Sequence, residues 1–309
     1  MTKPVPDDNA ERNMGTGHQL VLALPVFNAE EFLAPTLESL NAQGPHLRWW
    51  LQDGASKDRT VEIARSFAHE GDTVHSEPDA GQTDAINRAF RMMGGDIIGF
   101  INGDDLLASG AAERVITFFR ENPGIDLVYG RIEWIDRDGN PTGTHSGRIG
   151  SLTEMLDIYN VWWGNRQWVQ PEVFFRRSLW EKVNGFDTRW NLAFDYDFWV
   201  RCLIAGARIA HIPEVLARFR IHAAQKSCAR EKANDEIRAI VRQHLDACAP
   251  IGMWKRFTLR ARLSYDTYQL SQKAKPGFLR ALAASPDWLF VADVWKRLLH
   301  SCTGRLWQR

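Results

Sequence analysis

The chain has 309 residues, 44% hydrophobic and 25% charged, which fits one large globular domain or a catalytic domain with an appendage. Wholesale disorder, collagen-like repeats and a disulfide scaffold are excluded, and a formal net charge of +0 argues against a general nucleic-acid coat. The even balance hides an asymmetry: residues 251–309 hold eleven Lys/Arg and three Asp, net +8, so the first 250 residues stand at −8.

Residues 1–17 are polar and read as a disordered lead-in without the apolar core of a signal peptide. A strand over Gln19–Pro25 comes next, then a helix over Glu30–Gln43 with Phe32, Leu33, Leu37 and Leu40 at helical spacing. Leu47–Gln52 is a second strand, ended by Asp53-Gly54, and Asp58–His69 a second helix. Thr73–His75 is a short strand, Gly81–Met93 a helix, and Asp96–Ile101 a fourth, apolar strand stopped by Asn102-Gly103-Asp104-Asp105. Ser109 is the expected N-cap of a helix reaching Arg120. Leu127–Tyr129 and Ile132–Ile135 read as two further strands, and Asp138-Gly139 as a hairpin turn.

Alternating β and α elements predict an α/β fold: a Rossmann-like, mostly parallel sheet with helices on both faces. Ligands of such sheets bind beyond the carboxyl ends of the strands. Those ends carry Pro25-Val26-Phe27-Asn28, Asp53-Gly54, Glu77-Pro78-Asp79 and Asp104-Asp105, which together describe one polar rim. No GxxxxGK[ST] loop is present, and Gly15-Thr16-Gly17 precedes the first strand, so neither a P-loop nor a dinucleotide fingerprint applies.

Two adjacent acids at the mouth of a buried strand face desolvation and mutual repulsion, which a divalent cation would relieve. A plain Asp-rich turn explains Asp104-Asp105 as well. Asp53 could accept from a nucleobase N–H or ribose hydroxyls, or belong to the cap of the next helix. Asp195 opens a helix toward Ala205, where the dipole keeps a carboxylate ionised for general-base work or simply favours its charge. His222 offers an imidazole of the kind that binds metals. Trp163, Trp168 and Gln170 are candidates for the acceptor side, with buried packing the alternative for the rings. The four cysteines (Cys202, Cys228, Cys248, Cys302) are scattered without a CxxC and fit reduced thiols in a reducing compartment.

Taken in order, these motifs resemble the GT-A-fold, inverting glycosyltransferases of family 2, over roughly residues 19–225. They are Pro25-Val26-Phe27-Asn28, Asp53-Gly54-x-Ser56-x-Asp58-x-Thr60, Glu77-Pro78-Asp79-Ala80-Gly81-Gln82, Asn102-Gly103-Asp104-Asp105, Gln170-Pro171, Gly185-Phe186-Asp187, Asp195-Tyr196-Asp197-x-Trp199-x-Arg201 and Arg220-x-His222. The resemblance implies that Asp53 holds the base of a nucleotide-diphosphate sugar, with Pro25, Phe27 and Asn28 beside the nucleoside. It implies that Asp79, Gly81 and Gln82 lie beside the donor and Asp104 near the ribose or sugar. It further implies that Asp105 and His222 bind Mg²⁺ or Mn²⁺ and that Asp195 is the catalytic base. Where the family often has Glu-Asp, this chain has Phe194-Asp195. A saccharide or lipid-linked saccharide acceptor and a setting in bacterial surface-polysaccharide assembly come from the same resemblance. The rival readings are a sugar-phosphate nucleotidyltransferase, although the first loop lacks the Gly and basic residues that would clamp a triphosphate, and a non-catalytic carbohydrate-binding relative.

The domain expectation is therefore a lead-in over 1–17, a GT-A domain over 18–235 and a helical, basic, Trp-containing extension over 236–309. Ser285-Pro286-Asp287 starts a predicted helix that places Trp288, Val291, Trp295, Leu298, Leu299 and Cys302 on one face, with Lys296, Arg297 and His300 off it. Such a face suits an anionic membrane surface, or packing back on the protein. With no run of about 18 apolar residues, no transmembrane helix is expected. The expected location is cytoplasmic, peripheral on the inner face of the plasma membrane, with no nucleic-acid partner.

Overall fold

The computed structural model describes residues 19–223, 225, 230–247, 250–270, 278–295 and 298. The lead-in, Cys228, Cys248, Cys302, Lys296, Arg297, Leu299 and His300 lie outside the described residues. Two compact units are formed: residues 1–145, 169–184 and 208–221 make the first, and 146–168, 185–207 and 222–309 the second.

The first unit is built on a mixed sheet. Its strands are β1 (Leu20–Val26), β2 (Leu47–Asp53), β3 (Thr73–Ser76), β4 (Ile97–Phe100), β5 (Leu106–Leu107), β6 (Leu127–Ile135), β7 (Pro141–Ser146), β8 (Val173–Arg176) and β9 (Ile209–Arg220), in the order β3-β2-β1-β4-β8-β6-β9-β5 with β7 paired to β6. Strands β3, β2, β1 and β4 run parallel. Beyond β4 the sheet turns antiparallel through β8 and β6, with one parallel pair, β6–β9. The parallel half is the part legible as βα repeats, because only those strands need a crossover helix. β1 is buried at every position, which is why it reads as a continuous apolar run. Its pairing with β4 ends at Ala23, so Pro25 sits where one flank of the strand needs no donor.

Helices α1 (Leu33–Asn41), α2 (Thr60–Phe67), α3 (Gln82–Met92) and α4 (Ala111–Glu121) cover the sheet. The main core gathers Leu22, Leu24, Leu33, Leu37, Trp49, Leu51, Val115, Phe119 and Phe174. Two expectations are corrected. The segments 127–129 and 132–135 are one strand, bulged around Gly130, where a Cβ would meet Leu216 Cγ at 2.4 Å and the register with β9 shifts. Ser109 does not cap α4: the N-cap is Gly110 at φ 69°, without a side-chain capping bond.

The second unit is helical. It holds α5 (Leu152–Leu156), a widened helical segment over Ile158–Arg166 broken at Gly164-Asn165, α7 (Phe194–Ile204), α8 (Arg230–Asp246), α9 (Met253–Leu270) and α10 (Phe278–Ala284); the short α6 (Arg177–Lys182) belongs to the first unit. A small cluster of Ala261, Tyr265, Ala281, Trp288, Val291 and Val294 ties the end of the chain to α9. Trp288 donates to Ser264 Oγ at 3.2 Å and meets the rings of Tyr265 and Tyr268 at 5.4 and 5.0 Å. Of the face expected to meet a membrane or to pack back on the protein, Trp288 and Val291 pack inward, whereas Trp295 is exposed. Pro286–Phe290 is a tight 3₁₀ turn rather than the start of one long helix.

Candidate active site

The first unit brings the β1, β2 and β3 ends together through side-chain bonds to backbone. Ser56 and Ser76 hydroxyls bind the Asp53 carboxylate, the latter at 2.6 Å, and Ser56 N–H donates to it at 3.0 Å. Asn28, held at φ 49°, accepts Lys57 N–H at 2.9 Å and donates its own N–H to Ser56 Oγ at 2.7 Å. Ala29 and Glu30 N–H groups donate to Thr60 and Asp58. The Ser, Asp and Thr of the second motif thus pin the loop after β1. Phe27 is left 63% exposed at its tip.

Asp53 has no exposed surface. Its carboxylate orders the loop after β2 through Ser56 and Ser76; a carboxylate oxygen accepts more than one hydrogen bond, so the base-holding role that the resemblance implies is compatible with these bonds.

Gly54 is where the β1, β2 and post-β3 loops converge. A Cβ built there would stand 3.0 Å from Asp79 Oδ2 and 3.4 Å from the Phe27 ring. Asp79 also accepts Gly81 N–H at 2.8 Å, fixing the start of α3. Arg88, one face down α3, clamps the same loop: it donates to Glu77 at 2.7 Å and to the Pro78 carbonyl at 3.1 Å, and pairs with Asp84 at 2.7 Å. Its hydrogen bond, with a second from His75, holds the Glu77 carboxyl below its ordinary range. Sequence reasoning missed Arg88, because nothing in its helical position shows that it reaches back to the loop.

A second chain of bonds runs through the β4 end. Gln82 donates to Asn102 Oδ1 at 2.7 Å, and Asn102 Nδ2 donates to Asp105 at 3.2 Å and to Gln170 Oε1 at 3.3 Å. Gln170 closes it by donating to the Phe100 carbonyl. The buried Thr36 hydroxyl binds the Gly103 and Asp105 carbonyls at 3.0 and 2.8 Å. Arg220, almost fully buried, donates its N–H to Asp105 at 3.0 Å and its guanidinium to the Asp104 and Arg137 carbonyls at 2.9 and 2.7 Å. Thr36, Asn102 and Arg220 are the positioning residues of the acidic loop. Arg220 is legible in the sequence as part of a motif, whereas Thr36 has no signal beyond a polar residue among apolar helix positions.

The two acids of that loop differ. Asp105 has no exposure and accepts hydrogen bonds at both oxygens, from Arg220 N–H and from Asn102. Burial first, and then the neighbouring Asp104 charge, push its carboxyl well above the ordinary carboxylate value. A cation bound there would relieve both effects, which keeps Asp105 compatible with the metal-ligand role that the resemblance implies. Asp104 is partly exposed. Among the described residues no group of three or more His, Cys, Asp or Glu could hold a metal alone. A site of one or two carboxylates completed by substrate oxygens is compatible with that donor set.

The second unit carries Asp195, His222, Trp163 and Trp168. Asp195 sits half-buried in the first turn of α7, with its Oδ1 accepting Tyr196 N–H at 2.7 Å. Asp197, two residues on, is fully buried between Arg201 (2.7 Å) and His244 Nε2 (3.2 Å). The loop before α7 is held from α8: Glu236 accepts Asn191, Leu192 and Ala193 N–H at 3.3, 2.8 and 2.9 Å. His222 is half-exposed and donates its backbone N–H to Gln225.

Of the two rings expected on the acceptor side, Trp168 is enclosed and Trp163 is half-buried. Trp168 is buried, edge-on to Trp199 at 5.5 Å. Trp163 donates to Asn234 at 3.0 Å, and Arg238 covers its face at 4.9 Å. Gln170 in the first unit is buried, with both ends of its amide engaged.

The sheet, with its acid-bearing strand mouths, defines a GT-A type of α/β transferase. Residues 22–190 match the family model described as glycosyl transferase family 2, and the chain belongs to that family; it is a glycosyltransferase. Among its relatives, a PGL/p-HBAD biosynthesis glycosyltransferase of Mycobacterium bovis (strain BCG / Pasteur 1173P2) is 28% identical over 200 residues, 63% of this chain and 73% of that protein. An uncharacterized glycosyltransferase of Methanocaldococcus jannaschii is 22% identical over 197 residues, 62% of this chain and 67% of that protein. Similar solved structures include S. aureus TarS in complex with UDP-GlcNAc, with TM-score 0.62, 15% identity and coverage of 82% of this chain and 74% of that one. A mannosyltransferase from Pyrobaculum calidifontis in complex with GDP-Man and Mn²⁺ has TM-score 0.50, 19% identity and coverage of 90% and 72%. These structural likenesses bear on the fold.

Proposed function

We propose that this glycosyltransferase moves a sugar from a nucleotide-diphosphate sugar to a hydroxyl of a saccharide or lipid-linked saccharide acceptor, by one inverting displacement, in surface-polysaccharide assembly. The observation that carries the donor reading is the rim itself: Phe27, Gly54, Asp79 and the Asn102–Asp105 loop stand at neighbouring strand mouths and are knit by hydrogen bonds. The relatives' names and the UDP- and GDP-sugar complexes of the structural neighbours support the same donor class.

In this reading the exposed Phe27 ring and the loop ordered by Asp53 and Asn28 receive the nucleoside, beside Pro25. Asp79, Gly81 and Gln82 border the donor. Asp104 and Asp105 would hold a divalent cation together with donor phosphates, where it would offset the charge of the departing diphosphate. Asp105 and Arg220 keep the acidic loop in place. Asp195 accepts the acceptor hydroxyl's proton as that oxygen bonds to the anomeric carbon; the bond to the diphosphate breaks and its electron pair leaves with the nucleotide. Attack from the opposite face inverts the centre. The helix N-terminus favours the ionised form of Asp195 that this requires.

The test separates binding from chemistry. Asp195→Asn is expected to lower transfer at least about 100-fold, the scale of a lost general base, with donor binding by calorimetry unchanged. Asp104→Ala is expected to abolish the difference in donor binding between Mn²⁺ and EDTA. Full turnover by Asp195→Asn removes the base assignment, and an unchanged cation effect in Asp104→Ala removes the metal assignment.

A further inference from the structure

Among the described residues eleven large hydrophobic side chains are exposed, and eight of them fall between Met253 and Trp295. A random scatter of exposed apolar groups is normal, whereas such concentration marks an interaction surface. Six of the eight are linked locally. Met253, Trp254 and Phe257 occupy one side of the first turns of α9. Phe290 closes on them from the other element, with the Trp254, Phe257 and Phe290 ring centroids 5.1 to 5.6 Å apart in a triangle. Leu289 adjoins Phe290, and Trp295 donates to the Leu289 carbonyl at 2.6 Å. Trp254, Phe290 and Trp295 are each more than half exposed although the rings pack on one another. This surface is distinct from the Trp288–Val291 face, which the Tyr265 cluster covers.

We propose that this aromatic surface docks the enzyme on an anionic phospholipid bilayer. Charge selects that occupant. Residues 251–309 carry eleven basic and three acidic residues, against an acidic remainder of the chain. Lys255 and Arg260 are paired with Asp157 and Asp246, so they stiffen α9 beside the patch; the attraction comes from the summed excess of the segment. The other exposed large hydrophobics among the described residues are Phe27, Met92, Ile221, Leu270 and Leu279, and a second copy that paired this patch with itself would bring two +8 segments together. Tryptophan and phenylalanine beside basic residues are the composition that settles at the headgroup level of such membranes. No helix among the described residues is long and apolar enough to cross a membrane, so the docking is interfacial. The inference deepens the lipid-linked acceptor reading, yet it is tested without donor or acceptor, so either can fail alone.

The experiment is co-sedimentation of the full chain with vesicles of phosphatidylcholine alone and of phosphatidylcholine with phosphatidylglycerol. The proposal expects binding to the mixed vesicles, weakened by 0.5 M salt. It expects at least a roughly 10-fold lower partition coefficient for the triple variant Trp254→Ala, Phe257→Ala, Phe290→Ala. The single variant Trp254→Glu, with an unchanged far-UV circular dichroism spectrum and a cooperative thermal transition, covers the case in which the triple variant misfolds, and it too should bind less. No binding of the wild type to either vesicle overturns the proposal. Equal binding by a folded variant does so as well, as does a wild-type dimer that the variants convert to monomer while vesicles have no effect.

Discussion

Gly54 shows how one missing methyl group shapes the rim. Its neighbours are Asp79 Oδ2 and the Phe27 ring, both within 3.4 Å of where a Cβ would stand. Gly54→Ala should therefore push the Asp79 loop from the Phe27 loop without disturbing the core. The expected result is a roughly 10-fold rise in donor KM, about 1.4 kcal/mol of lost binding, with a nearly unchanged melting temperature; an unchanged KM would take Asp79 and Phe27 out of the donor site. Glu172 gives a different prediction. It follows Pro171, has no exposure, and receives one hydrogen bond, from Val169 N–H at 3.0 Å, while its Oε2 has no partner. Burial raises its carboxyl well above the ordinary 4.5. An acid whose pKa is higher in the folded state is bound to its proton more tightly there. Its contribution is intact below about pH 4.5 and is lost as pH rises through the raised value. Glu172→Gln keeps the acceptor for Val169 and removes the ionisation. The variant's melting temperature relative to wild type should rise as pH increases above about 4.5, by roughly 2–4 °C per kcal/mol. A difference that is flat with pH would mean that folding does not raise the Glu172 pKa.

Helix α8 is the element whose importance the sequence concealed. A domain boundary after residue 235 divides it, because its amphipathic pattern resembles any surface helix. In the structure its Glu236 gathers three backbone N–H groups of the loop leading into α7, and its His244 reaches the buried Asp197. These contacts set the position of the turn that carries Asp195. Glu236→Gln should reduce kcat about 10-fold, on the scale of a charge-assisted hydrogen bond, with donor KM unchanged. A change confined to melting temperature would make the contact merely structural. By contrast, the elements of the parallel half were legible almost to the residue, since apolar runs, turn residues and helical periods all agree there. The antiparallel half was not: β5 has two residues, β8 four, and β6 is bent at Gly130, so none carries a clean alternation. The same limit applied to the site. Motif spacing located Asp104 and Asp105, but only burial distinguishes the accessible acid from the enclosed one. Whether Trp168 is a platform or core depended on neighbours that no local pattern reveals.

Taken whole, the molecule separates its tasks by composition. The acidic first 250 residues supply the sheet and the strand-end rim, and the basic remainder supplies α9, α10 and the aromatic surface. The family fixes the reaction class; the donor assignment rests on that rim binding a nucleotide-diphosphate sugar with a cation. Thermal unfolding of the full chain against UDP-, GDP- and dTDP-sugars, with Mn²⁺ and then with EDTA, tests it most directly. A ligand at about 100 times its Kd should add about 2.7 kcal/mol. The account predicts that at least one sugar nucleotide raises the melting temperature by several degrees with Mn²⁺, and that EDTA or Asp104→Ala removes most of the rise. No shift with any of the donors, or a full shift that persists in EDTA and in Asp104→Ala, would contradict it.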